Sequence, residues 1–396
     1  MNLYISHKTF RFSIFHYSLV VPLYLINNLD LNQIAIIESV YLLVFTFLLL
    51  PSGYAVDVIG SKICLIIGTF LIAVTDLLLY RAASFEDFFI VLFFDAFSQA
   101  LCSSADSVSI RFVMANNYSP TKFLRIESVA WVCRNLALGL SSVLGGILAT
   151  FSNIKTALVV SMVMVSCSFI CVCAASIPRC IDFKLEDASN RSCCFSKGFL
   201  ASLSAIRRIS RRSLFLSIYF YAVDAVGYML VPIVLNQHKA AYWVYGSAFA
   251  LIVTTSSISH IGIVSESKIT LSSTLYTILT CIYVLLLVLS FESWDSVALP
   301  LVFLSFSLYG IVKGWYYPYT KACLVEEVET IGIGKVFSVI LFASNLLASI
   351  MIYCFLTLTN YVNLLTTLIF FLALTVIASI AFSFHKSPPL FFHKSS

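Results

Sequence analysis

Twelve stretches of apolar sequence, most of them close to twenty residues long, run through this chain with polar breaks between them. They fall at about 10–27, 34–56, 62–80, 88–111, 125–151, 156–177, 213–235, 242–264, 270–290, 296–319, 335–358 and 363–384. A helix needs about 20 residues to cross the hydrocarbon core of a bilayer. Only 11% of the residues are charged and 60% are hydrophobic, whereas a soluble domain carries about 25% charged residues. With a mean hydropathy of +0.98, such a chain cannot cover its surface with polar groups in water. A soluble enzyme, a nucleic-acid reader and a disordered scaffold are excluded. The expectation is an all-α polytopic membrane protein with twelve transmembrane helices.

One polar break is long. Residues 178–212 are rich in charge and serine and end in Arg207, Arg208, Ile209, Ser210, Arg211 and Arg212. The division read from it is an N-terminal six-helix bundle over 1–177, a cytoplasmic linker over 178–212 and a C-terminal six-helix bundle over 213–385. A cytoplasmic tail over 386–396 follows. The basic end of the linker suits an anionic lipid surface. The first apolar run follows Lys8 and Arg11 and could pass for a signal peptide. It leads into Asn27, Asn28, Leu29 and Asp30 with no small-residue cleavage site, so it reads as a retained first span. The twelve cysteines show no metal-ligand spacing and sit mostly within apolar runs, as small buried thiols do. No cofactor, metal or disulfide is expected.

Orientation follows from the basic residues. With both termini inside and the spans alternating, nineteen of the 24 lysines and arginines fall in inside segments. Three (Arg81, Lys155 and Lys239) fall outside, and Arg134 and Lys313 remain within spans. This asymmetry is the positive-inside pattern, and one missed or invented span would destroy it. The net charge of +5 therefore reports topology, not nucleic-acid binding. The expected location is the cell membrane, a bacterial inner membrane, with cytoplasmic termini.

Polar residues recur at helical spacing in four spans. Span 1 carries Ser13, His16, Tyr17, Tyr24 and Asn27. Span 4 carries Asp95, Gln99, Cys102, Ser103 and Asp106. Span 7 carries Ser217, Tyr221, Asp224 and Tyr228, and span 10 carries Tyr309, Lys313, Tyr316, Tyr317 and Thr320. Steps of three and four residues keep each set on one face. A charge at the centre of a span costs about 2.5–3.5 kcal/mol on insertion scales, so these faces are expected to line the bundle interior. The choice of every third helix in both halves suggests a pathway built from repeated units. Span 5, with Trp131, Arg134, Asn135, Leu138 and Ser142, also shows such a face.

The break between spans 2 and 3 reads Gly53-Tyr54-Ala55-Val56-Asp57-Val58-Ile59-Gly60-Ser61-Lys62. Gly53 allows close helix approach, Gly60 a tight turn, and Asp57 can face a helix N-terminus. This G-x-x-x-D-x-x-G-x-K pattern resembles the signature loop of the major facilitator superfamily, which joins the same two spans. Val58 stands where an arginine is usual. The stretch from Glu38 through Pro51, and Ser103-Ser104-Ala105-Asp106, resemble a bacterial branch of that superfamily. Gly262 to Lys268 echoes the motif in the second half. Span 5, with Gly139, Gly145 and Gly146, is similar to the glycine-rich fifth span of the family's drug antiporters. Ser142 replaces that pattern's proline, and the antiporters' early span-4 arginine is absent at Asp95 and Ala96.

The resemblance implies two six-helix bundles rocking about a central site, a monomer, and a secondary transporter for a small polar solute. A coupling proton or cation is an open addition. Asp57 would latch the cytoplasmic side with Arg111, and Gly53, Asp57, Gly60, Lys62 and Arg111 form the expected gating set. The expected central-cavity set is Tyr17, Asp95, Gln99, Tyr221, Asp224, Lys313 and Tyr317. Asp224 can bind a cationic group, carry a proton or pair with Lys313. Lys313 can recognise an anion or snorkel to the interface. Asp95 can pair with Arg134. Asp106 reads as hydrated, His16 as a hydrogen-bonded polar group, and Glu38 and Asp76 as solvated near the outer ends of their spans. A proton-coupled multidrug exporter is the alternative, and a non-transporting receptor or membrane-embedded enzyme a remote one. No P-loop, metal cluster or nucleophile arrangement appears, so no enzyme is expected.

Overall fold

In the computed structural model the described residues are 2–113, 120–175, 231–236, 238–265, 299–314 and 333–361, with a few isolated helical positions elsewhere. All regular structure among them is helical: α1 (Asn2–Arg11), a 3₁₀ turn (Tyr17–Leu19), α2 (Val20–Ile26), α3 (Leu31–Ile59), α4 (Ser61–Arg81), α5 (Phe85–Val113), α6 (Pro120–Phe151), α7 (Ile154–Ala174), α8 (Tyr242–Ser265), α9 (Leu299–Gly314) and α10 (Ile333–Tyr361). Six stretches, within α3 to α7 and α10, are long and apolar enough to cross a membrane.

Helices α3, α5 and α7 begin at one end of the bundle, and each start is fixed by a polar cap. Asp30 Oδ1 accepts from the Gln33 N–H at 2.7 Å, and Gln33 Oε1 accepts from the Asp30 N–H at 3.1 Å, a closed capping box. The Ser84 hydroxyl accepts from the Asp87 N–H, and Asp87 accepts from the Ser84 N–H. Asn153 accepts from the Thr156 N–H. Such caps satisfy the orphan amides of a first turn. They sit where backbone leaves hydrocarbon and needs new partners.

The first apolar run is not one helix, as the sequence had suggested. It consists of α1, an unwound stretch around residues 12–16, the 3₁₀ turn and α2. Its freed backbone is satisfied by other helices. The Phe15 N–H donates to Ser161 Oγ at 2.9 Å, and Ser141 Oγ donates to the Ile14 carbonyl at 3.3 Å. Irregular backbone persists at membrane depth only where protein supplies such partners. Gly145 makes room for the break, because a Cβ there would overlap the Phe15 carbonyl.

The two halves of the chain meet along two seams. Helix α3 packs on α10, and α6 packs on α8. Counted by the apolar runs, these pairs are spans 2 and 11, and spans 5 and 8. Exchanging the halves turns one pair into the other, as an axis along the membrane normal does in parallel repeats. The α6–α8 seam is close because it is glycine-lined. A Cβ on Gly146 would lie 2.5 Å from the Tyr242 carbonyl oxygen, one on Gly246 would overlap the Ser142 carbonyl, and one on Gly139 would touch Ala250 at 3.7 Å. Without a hydrophobic drive between helices in lipid, such close backbone approach is what holds them together. On the α3–α10 seam the Ser349 hydroxyl donates to the Ser39 carbonyl at 2.9 Å, and Phe47 meets Phe342 edge to face.

Candidate functional site

The interior of the first half holds a polar group assembled from five elements. The break supplies His16 and Tyr17, α2 Tyr24, α3 Glu38 and Tyr41, α4 Asp76, and α5 Asp95 and Gln99. Gln99 Nε2 donates to Asp95 Oδ1 at 3.3 Å. Tyr41 is directed at Asp95 and Tyr24 at Glu38. Asp95 and Glu38 are partly exposed, as side chains lining a space are, while Asp76 is buried with 5% exposure. Tyr17, 39% exposed, stands edge to face on Phe249 of α8 with ring centres 5.7 Å apart. It therefore bridges the broken first segment and the second half. Three carboxylates gathered in hydrocarbon surroundings, with tyrosine and amide donors rather than lysine or arginine around Asp95 among the described residues, make a site suited to a proton, a cation or a hydroxyl- and amine-bearing solute.

Several expectations about single residues change. Asp95 does not pair with Arg134; the Arg134 guanidinium lies over the Phe12 ring at 4.2 Å, a cation–π arrangement. Asp76 is not solvated. Its Oδ1 lies 3.7 Å from His16 Nε2, and α5 and α7 pack on α4. Asp106 is not merely hydrated either. It pairs with Arg11, Nη2 to Oδ2 at 2.5 Å, with Lys8 at 3.9 Å and the Tyr4 hydroxyl donating to its backbone carbonyl at 3.0 Å. His16 is hydrogen-bonded, as expected, to Ser161 Oγ at 2.9 Å. Sequence reasoning placed Glu38 and Asp76 outside the site. The available signal was their depth, since each lies at least one helical turn within a window otherwise apolar.

Of the gating set, Gly60 makes a tight turn. The break between α3 and α4 is Gly60 alone, at φ +98°, with its N–H donating to the Val56 carbonyl and its own carbonyl accepting from Cys64. Only glycine adopts that φ without strain. Most of the motif is the last turns of α3, which runs on past Pro51. Gly53 does not serve close approach, because a Cβ there would meet nothing within 4 Å among the described residues. Lys62 is half-buried in the first turn of α4. The side chains of Asp57 and Arg111 lie outside the described residues. So do Tyr221, Asp224 and Tyr317 of the expected cavity set. Lys313 is half-buried on α9, whose Gly310 would crowd Ile252 and Thr255 of α8 if it carried a Cβ.

At the end of the bundle where α2 and α6 finish, an open pocket of about 500 Å³ is lined by Pro22, Ile26, Thr150, Asn236, Lys239 and Tyr242 among others.

Comparison with known proteins agrees with this architecture. The family model of the Major Facilitator Superfamily matches residues 3–353. Among solved structures, the nucleoside transporter NupG superimposes with a TM-score of 0.71 at 12% identity, covering 98% of this chain and 100% of that one. A mutant of the same transporter gives 0.73 at 14% identity, covering 97% and 100%. A POT family transporter in complex with a thioalcohol-conjugated peptide gives 0.71 at 13% identity, covering 96% and 94%. No curated protein shows significant similarity in sequence. The chain belongs to the Major Facilitator Superfamily and is a multi-pass membrane transporter.

Proposed function

We propose that this member of the Major Facilitator Superfamily is a secondary transporter that moves a small polar solute across the cell membrane by alternating access. Its twelve spans form two six-helix bundles joined by a cytoplasmic 178–212 linker, with both termini cytoplasmic and the monomer as the working unit. The solute binds in a central cavity lined by Tyr17, Asp95 and Gln99 from the first half and Tyr221, Asp224, Lys313 and Tyr317 from the second. The gating set around Asp57 closes the cytoplasmic side.

The observation that carries this reading is the partly exposed polar face of Tyr17, Tyr41, Asp95 and Gln99. It lies inside a bundle whose outer surface is apolar, and next to a seam of interchangeable helix pairs. A purely structural bundle would bury leucine there at less cost. A two-fold pair of seams lets one half rotate on the other about the enclosed face.

The test is uptake by liposomes holding the purified full chain. Radiolabelled uridine and a radiolabelled dipeptide are suitable first probes, because similar folds are a nucleoside transporter and peptide-binding POT family transporters. Uptake above empty liposomes that falls in Asp95→Asn and Asp224→Asn supports the reading. Uptake unchanged in folded Tyr221→Ala, Asp224→Asn, Lys313→Ala and Asp95→Asn proteins sinks the proposed cavity.

A further inference from the structure

The contacts of His16 admit two arrangements that differ by one proton. Ser161 Oγ donates to the Ala157 carbonyl at 3.0 Å and accepts from the Phe15 N–H at 2.9 Å. A hydroxyl has one proton to give. With that proton on Ala157, the 2.9 Å contact between Ser161 Oγ and His16 Nδ1 requires Nδ1 to donate. A neutral imidazole then turns the lone pair of Nε2 towards Asp76 Oδ1, 3.7 Å away. Two acceptors face each other, and one proton between them resolves the conflict.

The other arrangement differs by that proton. If the Ser161 hydroxyl turns to donate to Nδ1, then Nε2 carries the hydrogen and donates towards an ionised Asp76. The first state holds one proton more than the second. A rotation of one hydroxyl, between Ala157 and His16, accompanies its gain or loss.

The surroundings favour this exchange at Asp76. The side chain is 5% exposed, and its Oδ2 has no hydrogen-bond partner among the described residues. A buried carboxylate oxygen without a donor strongly disfavours the ionised form. Among the described residues, the groups facing it from the neighbouring helices do not supply a compensating cation. From α5 comes the carboxyl of Asp95, and from α7 the uncharged Ser161, which meets His16. Lys155 of α7 lies one turn away, over the Tyr80 ring at 5.4 Å. His16 itself sits at the break between α1 and α2, the part of the first segment whose backbone is held by other helices.

We infer that Asp76 and His16 form a proton-carrying site, the coupling-ion site of the transporter proposed above, with Ser161 as the hydroxyl that turns when it loads. The inference rests on the transport reading for its purpose but not for its chemistry. Loading takes a proton from water onto the Asp76 carboxyl and the His16 ring together. Unloading returns it to water and leaves an Asp76 carboxylate facing His16 Nε2–H across 3.7 Å.

Infrared difference spectroscopy of the full chain in liposomes, titrated between about pH 5 and 8, reads this directly. A protonated-carboxyl stretch that shifts in D₂O should be present in the native chain and in Asp95→Asn, and lost in Asp76→Asn. Its midpoint should move in Ser161→Ala and His16→Gln. Asp76→Glu, which keeps the carboxyl, should retain a shifted band and guards against a variant that merely fails to fold. Survival of the native band in Asp76→Asn, or a midpoint indifferent to both His16→Gln and Ser161→Ala, overturns the inference. Gradient-driven uptake of uridine or dipeptide, measured on the same liposomes, keeps the two readings apart. Uptake without the Asp76 band removes the proton site alone, whereas the band without uptake supports the site and removes the transport reading.

Discussion

Arg11 and Asp106 form a buried two-point ion pair, with Nη2 at 2.5 Å from Oδ2 and Nη1 at 3.3 Å from Oδ1. The arginine is 3% exposed, and its partner stands 95 residues later in the sequence. Helix α1 is held by this pair and by a second contact, in which the Ser168 hydroxyl meets the His7 ring and carbonyl. Ser161 and Ser168 lie two turns apart on α7, so one face of that helix fastens both α1 and the break that follows it.

Removing one partner of a buried pair is costly, about 3–5 kcal/mol, whereas replacing both with apolar groups of similar volume is often close to neutral. Arg11→Leu alone should therefore lower the thermal unfolding midpoint in detergent sharply. The double change Arg11→Leu with Asp106→Leu should recover most of the loss. Equal losses in the single and double variants would show that the pair is not what fixes α1.

Gly60 and Gly53 should respond to alanine in opposite directions. At φ +98° a Cβ costs about 1–2 kcal/mol, so Gly60→Ala should destabilise. Gly53 is helical with open space where its Cβ would be, and alanine there should stabilise by about 0.4–1 kcal/mol through the unfolded chain. Thermal unfolding of both variants checks the sign of each effect.

The α6–α8 seam should open when it is wedged. Gly246→Leu drives a side chain into Ser142 and Val143, and overpacking of this kind costs about 1–3 kcal/mol. A bias of that size shifts a two-state equilibrium about 5- to 150-fold. A cysteine placed at Tyr245, 3% exposed, in a background cleared of the twelve native cysteines, should react faster with a water-soluble maleimide in the wedged protein. An unchanged rate would mean the seam does not control access at that end.

Asp95→Asn should lower kcat/KM for solute uptake by about tenfold or more, since a hydrogen bond to a charged group contributes about 1.5–3 kcal/mol. Phe93→Leu, two residues away but 45% exposed on the apolar surface, should leave uptake near native. Comparable effects of the two changes would indicate general perturbation of α5 rather than a solute contact.

Much of the architecture was legible because the bilayer imposes one length on every span. The apolar runs marked α3 to α7 to within a few residues, and Gly60 of the motif marked a tight turn that is a single residue wide. The break in the first span was not legible. Residues 12–16 contain neither glycine nor proline, and the unwound backbone owes its stability to Ser141, Gly145 and Ser161, more than a hundred residues away. Asp95 was singled out because it lies deep in a polar helical stripe. Asp76 was misplaced because distance from a helix end says little about burial when α5 and α7 pack against the helix. The partners of Asp106 were hidden for the same reason: they sit on α1, a helix that the apolar pattern does not announce.

The polar helix α1 also has a consequence for how the protein is made. Asn2–Arg11 holds His7, Lys8 and Arg11 and has no apolar stretch that could enter a bilayer by itself. Its anchors, Asp106 and Ser168, leave the ribosome about 100 to 160 residues later. At about 5–20 residues per second, the amino-terminal helix waits roughly ten to thirty seconds at the membrane surface for its last anchor. It is made before the rest of its half and is among the last parts of that half to be seated.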